Sequence, residues 1–370
     1  MVIIFILLST IFLSYVNGAN DNFKGVATLF GSGTIDYKKA LLWATITTFL
    51  GSFTAIFIST KLIVSFSGKG LVPDAIVSSP HFLISVGMGA ALTVFIATIT
   101  GIPISTTHSL TGALVGAGLA SAGMHVNFHA LSSSFFLPLL LSPAVSLFLT
   151  LIIYPCFKFV RIKLGIERQM CLCIGEKAEN VCIQQNGAMV LKSSGIALSF
   201  DQLQNCQQYY HGKIFGFDSQ KILDNLHYVS AGAVSFARGL NDTPKIIALL
   251  LMMSAFSLNW GIFIVAVAMA IGGLLNASKV ALTMSKRITS MNHGQGFSAN
   301  LVTAFLVIFA SKWGMPVSTT HVSCGSLFGI GLINKKANLS VIRQIILAWV
   351  LTLPLAAILS GVCFLIIKNR

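Results

Sequence analysis

Two amide–carboxylate pairs and two hydroxyl runs carry most of the chemistry this sequence offers. Asn20-Asp21 is followed downstream by Ser105-Thr106-Thr107, and Asn241-Asp242 is followed by Ser318-Thr319-Thr320. Carboxylate and amide oxygens are hard ligands that suit Na⁺ or another hard cation, and carbonyls freed at a helix break would add further oxygens. Asn20, Asp21, Asn241 and Asp242 therefore read as a coupling-cation site. Each hydroxyl run sits just after a proline, Pro103 or Pro316, and begins with a Ser suited to cap a helix. Free backbone N–H groups, the positive end of a helix dipole and three hydroxyls make an anion site. Ser105, Thr106, Thr107, Ser318, Thr319 and Thr320 thus read as anion ligands, and two facing copies would surround a tetrahedral oxyanion. Singly, each motif has a plainer reading, as a buried polar pair between helices or as ordinary capping. The duplication weighs against the plainer readings.

The two copies keep their order at nearly constant intervals, 221 residues from Asp21 to Asp242 and 213 from Ser105 to Ser318. That is an internal repeat, and in a membrane protein it indicates a transporter with its site between two halves. Lys24 and Lys245 also correspond, each three residues after the motif Asp and so on its face of a helix. They read as charge partners for the carboxylates or contacts for the anion, and equally as snorkelling or structural ion-pair lysines. Arg238 precedes the second pair, where the first copy has Asn17. His108 and His321 close the two hydroxyl runs and read as packed, hydrogen-bonded rings rather than proton carriers.

The 370 residues are 55% hydrophobic and only 9% charged, far below the roughly 25% charged usage of soluble domains. Long apolar stretches such as 131–154 and 342–367 suit an all-α polytopic membrane protein, since about 20 apolar residues span a bilayer. The short alternating segments of a β-barrel are not present. Residues 1–16 lack a basic leader region and run straight into the first Asn-Asp pair, so they read as the first helix rather than a signal peptide. The net charge of +14 does not indicate nucleic acid. Residues 161–224 are near neutral, with 7 basic and 6 acidic side chains, and the remaining excess clusters at the ends of apolar segments. Outside 161–224 the acidic residues are Asp21, Asp36, Asp74 and Asp242. Asp36 and Asp74 fall in short polar connections. Asp21 and Asp242 adjoin apolar helix, where a carboxylate costs about 2.5–3.5 kcal/mol and marks function.

Three regions follow: a first transmembrane repeat at 1–160, a small insert with a few strands at 161–224, and a second repeat at 225–370. The first repeat reads as an interrupted helix over 1–33, a helix over 40–58, arms at 82–100 and 109–124 flanking Ser-Thr-Thr, and a span at 131–158. The second reads as an interrupted helix over 226–258, a helix over 260–278, arms at 297–312 and 322–333, and a span at 342–366. Each Ser-Thr-Thr pair of arms either dips in and returns as a re-entrant hairpin or crosses twice, and neither choice alters parity. Each repeat then crosses the membrane an odd number of times, so the halves are inverted. With both termini outside and 161–224 inside, eight basic residues face inward (Lys38, Lys39, Lys279, Lys286, Arg287, Lys335, Lys336 and Arg343) against four outward (Lys61, Lys69, Lys368 and Arg370). Four of the seven cysteines, Cys171, Cys173, Cys182 and Cys206, lie in the insert without zinc-ribbon spacing, and reduced thiols are expected. No metal-ligand cluster or nucleophile–base pairing is visible, so an enzyme is not expected, nor any cofactor beyond a coupling ion.

With these residues in view, the chain resembles the PiT family of inorganic phosphate transporters. The resemblance rests on Gly18-Ala19-Asn20-Asp21, on Asn241-Asp242, on the two Pro-x-Ser-Thr-Thr-His runs, and on Gln295 through Leu301. It covers both hydrophobic halves and leaves out 161–224. It implies a Na⁺- or H⁺-driven phosphate symporter in the cytoplasmic membrane, built from inverted repeats with phosphate near their interface, and a homodimer embedded in lipid. After the first Asn-Asp the family often continues Val-Ala-Asn, where this chain has Asn22-Phe23-Lys24. Sulfate or another tetrahedral oxyanion is the alternative cargo, and a phosphate-sensing receptor a more distant one.

Overall fold

The computed structural model describes residues 2–166, 170–183, 189–202, 210–252 and 257–369. Helix α1 (Val2–Asp21) is apolar along nearly its whole length, and every residue from Val16 to Asp21 is buried. It stops at Asp21. A short 3₁₀ turn (Lys24–Val26) follows, and α2 (Ala27–Gly31) resumes the path. Helix α3 (Tyr37–Ile58) starts at Asp36, whose side chain accepts from the Lys39 amide at 2.9 Å. That bond holds the exposed Asp36 carboxyl below its usual pKa.

Helix α4 (Pro80–Thr100) carries Pro at its first position, where the missing N–H costs nothing, and ends at Gly101 with φ 73°. A short extended stretch leads to α5 (Thr106–Ala122), and α6 (Leu137–Lys163) follows. The later helices are α7 (Ser219–Leu251), α8 (Leu258–Asn276), α9 (His293–Trp313), α10 (Thr319–Asn334) and α11 (Leu339–Lys368). Helix α9 opens with a reciprocal capping box between Asn292 and Gln295 and ends at Gly314 with φ 74°, as α4 ends at Gly101.

The break at the first Asn-Asp pair matches expectation, but the second pair sits inside continuous α7. Pro244 cannot donate to the carbonyl of Leu240, yet the helix runs through it. Residues 245–250 beyond the proline are all buried, and tertiary packing outweighs the local preference.

The chain divides into two compact units, one comprising 1–154 with 228–370 and the other 155–227. In the first, α1 packs against α4 and α8, α11 against α4 and α5, α3 against α8, and α9 against α10. One apolar cluster includes Ile6, Leu13, Val16, Phe82, Leu110 and Leu249, and a second includes Phe23, Leu29, Met284 and Leu327. The polar run Asn17–Asn22 falls along the chain between Val16 of the first cluster and Phe23 of the second. The second unit holds three strands, β1 (Met170–Ile183), β2 (Met189–Gln202) and β3 (Tyr210–Asp218), in the antiparallel order β2-β1-β3.

Among the described residues seven helical segments are long and apolar enough to cross a membrane. Leu140, Phe148 and Ile152 on α6 and Val350 and Ile358 on α11 are exposed, a pattern that suits contact with lipid rather than water.

Candidate functional site

Two glycines allow the close packing that places the Asn-Asp pairs. A Cβ on Gly18 would collide with the carbonyl of Met269 on α8, and one on Gly239 with the carbonyl of Thr48 on α3. Met269 and Thr48 are themselves 221 residues apart, so the second contact reproduces the first with the halves exchanged.

Each Asn is laced to the turn that precedes its own Ser-Thr-Thr helix. Asn20 Nδ2 donates to Thr98 Oγ1 (3.1 Å) and to the Ile102 carbonyl (3.2 Å), while its Oδ1 accepts from the Ile104 amide (3.2 Å). Asn241 Nδ2 donates to the Val317 carbonyl (3.2 Å) and its Oδ1 accepts from Ser311 Oγ (3.2 Å). The helices then begin as the sequence predicts. Ser105 Oγ accepts from the His108 amide at 3.1 Å and Ser318 Oγ from the His321 amide at 3.2 Å, with near-identical backbone angles at the two caps. The first amides of α5 and α10, those of Thr106 and Thr107 and of Thr319 and Thr320, have no intrahelical acceptor, as at any helix start.

The lysines cross between the halves. Lys24 Nζ donates to Asp21 Oδ1, to Asn20 Oδ1 (2.9 Å) and to the Ile104 carbonyl (2.7 Å), and also to Thr320 Oγ1 (2.6 Å) of the opposite hydroxyl run. Lys245 Nζ donates to Thr107 Oγ1 and to the Val317 carbonyl, each at 2.7 Å, and lies 3.7 Å from Asp242 Oδ1. Each half's ammonium thus holds a threonine of the other half.

Asn17 and Arg238 complete the centre. Asn17 Nδ2 lies within hydrogen-bond distance of Asp21 Oδ2 (3.0 Å), Thr106 Oγ1 (2.9 Å) and Asp242 Oδ2 (3.2 Å). One amide therefore spans both carboxylates. Thr106 Oγ1 also donates to Asp21 Oδ2 at 3.1 Å. Arg238 donates from Nη2 to Asn17 Oδ1 (2.6 Å) and from Nη1 to Asn22 Oδ1 (3.1 Å), and its Nε lies 3.8 Å from Asp242 Oδ2. Asp21, Lys24, Arg238, Asp242 and Lys245 are all at most 4% exposed. In their ordinary ionised forms they amount to two carboxylates against three cations. In those forms the centre has a surplus positive charge away from water, where an anion interacts most strongly.

All ten sequence-predicted ligands are buried in one compact unit, with Thr319 and Thr320 in the first turn of α10. His108 and His321 meet at 4.4 Å between ring centroids, and His321 also lies 3.9 Å from the Trp349 ring and 3.3 Å from the Leu139 carbonyl through Nδ1. Sequence reasoning assigned no role to Asn17, Thr98, Ser311, Asn22 or Thr48. The repeat intervals held a usable signal, since Thr98 and Ser311 are 213 apart and Asn17 and Arg238 are 221 apart.

Among the described residues no three His, Cys, Asp or Glu side chains gather as a metal site. Cys156, Cys324 and Cys363 are free thiols; Cys206 and the side chains of Cys171, Cys173 and Cys182 lie outside the described residues.

Known proteins resemble this chain along nearly its whole length. A protein of Pyrococcus abyssi described as a candidate phosphate permease is 27% identical across 96% of this chain and 95% of its own length. A candidate low-affinity inorganic phosphate transporter of Rhizobium meliloti is 28% identical across 96% of this chain and 93% of its own. A solved structure titled as the sodium-dependent phosphate transporter superposes with a TM-score of 0.75 over 100% of this chain and 99% of that one, at 22% identity, and establishes the fold. The profile of the phosphate transporter family matches residues 17–360, and the chain, a multi-pass membrane protein, belongs to that family.

Proposed function

We propose that this chain is a cation-coupled symporter of inorganic phosphate, working by alternating access about the buried centre between two inverted repeats. The observation that carries the reading is the set of ionisable groups buried in that centre. Three cationic groups surround two carboxylates, and two helix N-termini capped by Ser105 and Ser318 adjoin them. An incoming anion would find unpaired amides, the dipole ends of α5 and α10, and the hydroxyls of Ser105, Thr106, Thr107, Ser318, Thr319 and Thr320. Asn20, Asp21, Asn241 and Asp242 supply the oxygens on which the coupling ion acts, Na⁺ as a ligand set or H⁺ at the carboxylates. A protonated phosphate can also donate to Asp21 or Asp242, which sulfate cannot do, and that difference favours phosphate. The basic-residue bias supports both termini outside and 161–224 inside.

The test is radiolabelled phosphate uptake into proteoliposomes under an imposed Na⁺ or H⁺ gradient, with excess sulfate as competitor. Concentrative uptake that resists sulfate and disappears in Asp242→Asn is the expected result. Uptake of sulfate in preference to phosphate would reassign the cargo. Phosphate binding without flux under either gradient would make the protein a receptor.

A further inference from the structure

The oxygens best suited to a coupling cation already have an occupant. Lys24 Nζ sits among four of them: Asp21 Oδ1, Asn20 Oδ1 at 2.9 Å, the Ile104 carbonyl at 2.7 Å and Thr320 Oγ1 at 2.6 Å. One carboxylate, one amide oxygen, one backbone carbonyl from an extended turn and one hydroxyl form the mixed hard-oxygen set that an alkali cation takes from a protein. An ammonium has three protons to give, and four acceptors leave none of them idle. The lysine is 4% exposed, and Asp21 is 1% exposed, so this is no surface ion pair. Neighbouring groups add to the crowding. Asp21 Oδ2, the carboxylate's other oxygen, already accepts from Asn17 Nδ2 (3.0 Å) and Thr106 Oγ1 (3.1 Å). At the related place in the other half, Lys245 takes the Val317 carbonyl and Thr107 Oγ1, with Asp242 at 3.7 Å.

We propose that the Lys24 ammonium is the resident cation of this oxygen cage, so that the chain moves its anion without taking Na⁺ at Asp21. A Na⁺ ion could enter only by displacing a buried, fully bonded ammonium, which would leave a second cation unpaired beside it. The tether makes the difference. A lysine satisfies the cage at unit effective occupancy and cannot leave with the cargo. A free ion has to be drawn from solution, and it carries its gradient into the transport cycle. The proposal builds on the phosphate reading, and the two can fail separately.

The experiment measures phosphate uptake by the full chain in proteoliposomes, with external Na⁺ replaced in turn by K⁺ and by choline under a fixed H⁺ gradient. Wild-type rates should agree within about twofold among the three. Lys24→Asn removes the ammonium and adds a short amide oxygen with room beside it. Its uptake should fall roughly tenfold or more without Na⁺, the equivalent of one lost charged hydrogen bond, and should recover as Na⁺ is added. In parallel, the melting of detergent-solubilised protein is followed against NaCl, KCl and choline chloride. Wild type should show no Na⁺-specific rise, whereas ligand binding to the opened cage should stabilise Lys24→Asn selectively in Na⁺. Wild-type uptake that collapses without Na⁺, or wild-type melting raised by Na⁺ alone, overturns the proposal. If no phosphate moves under any condition, the phosphate reading falls and the melting of wild type decides this inference by itself. Should Lys24→Asn fail to fold, the wild-type comparisons still decide it.

Discussion

Arg238 donates from Nη2 to Asn17 Oδ1 at 2.6 Å, and the two residues stand 221 positions apart, the interval that relates Asp21 to Asp242. The same place in the two halves thus holds a guanidinium in one and an amide in the other, and they bond to each other at the centre. Around them the halves stay closely matched in the Gly18 and Gly239 contacts, the Ser105 and Ser318 caps, and the crossed lysines. The departure from symmetry is what leaves one positive charge in excess. A matched pair of arginines would face each other across the centre, and a matched pair of asparagines would leave the charges balanced.

Arg238→Gln should therefore weaken capture of the anion more than it weakens the fold. It keeps a donor for Asn17 but removes the surplus charge and the bond to Asn22. Loss of a charge-assisted interaction worth about 1.5–3 kcal/mol predicts a roughly tenfold to hundredfold rise in the phosphate concentration for half-maximal uptake. Arg238→Lys should recover only part of this, because a point charge cannot reach Asn17 and Asn22 together. The concentration dependence of initial uptake rates checks the point, and an unchanged half-saturation in Arg238→Gln would remove Arg238 from the anion's surroundings.

The Asp21–Lys24 pair predicts a non-additive pattern of stability. Asp21→Asn strands a buried ammonium and should cost about 3–5 kcal/mol, whereas Asp21→Asn with Lys24→Met removes both charges and should restore much of that loss. Driven uptake should be absent from both. Melting in detergent measures the first effect and proteoliposome uptake the second. If the double variant is no more stable than Asp21→Asn alone, the two side chains are not the coupled pair described here.

Much of this architecture is legible in the sequence. Apolar runs separated by basic ends mark the spans, and the doubled motifs mark the centre, because burying a carboxylate in apolar helix is too costly to occur twice by chance. The caps were readable from Pro103 and Pro316 followed by Ser. What lay hidden was partnership across distance. Nothing local says that Lys24 bonds Thr320 rather than a residue of its own half, or that Asn17 bridges two carboxylates. Those bonds exist because Gly18 and Gly239 let helices approach to backbone contact. Pro244 misled in the opposite direction. As a local signal it marks a break, but the buried sequence around it keeps α7 continuous.

That close approach makes its own prediction. Gly18→Ala and Gly239→Ala each drive a methyl into a carbonyl oxygen, of Met269 and Thr48 respectively, and neither backbone can yield without shifting a helix. Each should cost about 1–3 kcal/mol by overpacking. Gly294→Ala is the control. It lies in the first turn of α9, and its added methyl would meet only Asn292 Oδ1 at 3.6 Å. There the stiffer unfolded chain should leave stability unchanged or raise it by up to about 1 kcal/mol. Equal losses at all three positions in a detergent melt would show that glycine content, rather than packing, sets the cost.

The serine caps separate folding from anion capture. Ser105→Ala removes the acceptor for the His108 amide, and Ser318→Ala that for His321, each worth about 1 kcal/mol of helix stability. Asp caps as well as Ser and interacts favourably with a helix N-terminus, and the adjoining Lys24, Arg238 and Lys245 offset the cost of burying its charge, so Ser105→Asp should be more stable than Ser105→Ala. Its negative charge, however, occupies the region where the anion is proposed to bind. Uptake should then rank Ser105, Ser105→Ala, Ser105→Asp, while stability ranks Ser105→Asp above Ser105→Ala. Opposite orders in the two measurements tie the start of α5 to the cargo. Parallel orders would reduce Ser105 to a cap, and the anion would have to be held by the lysines and Arg238 without it.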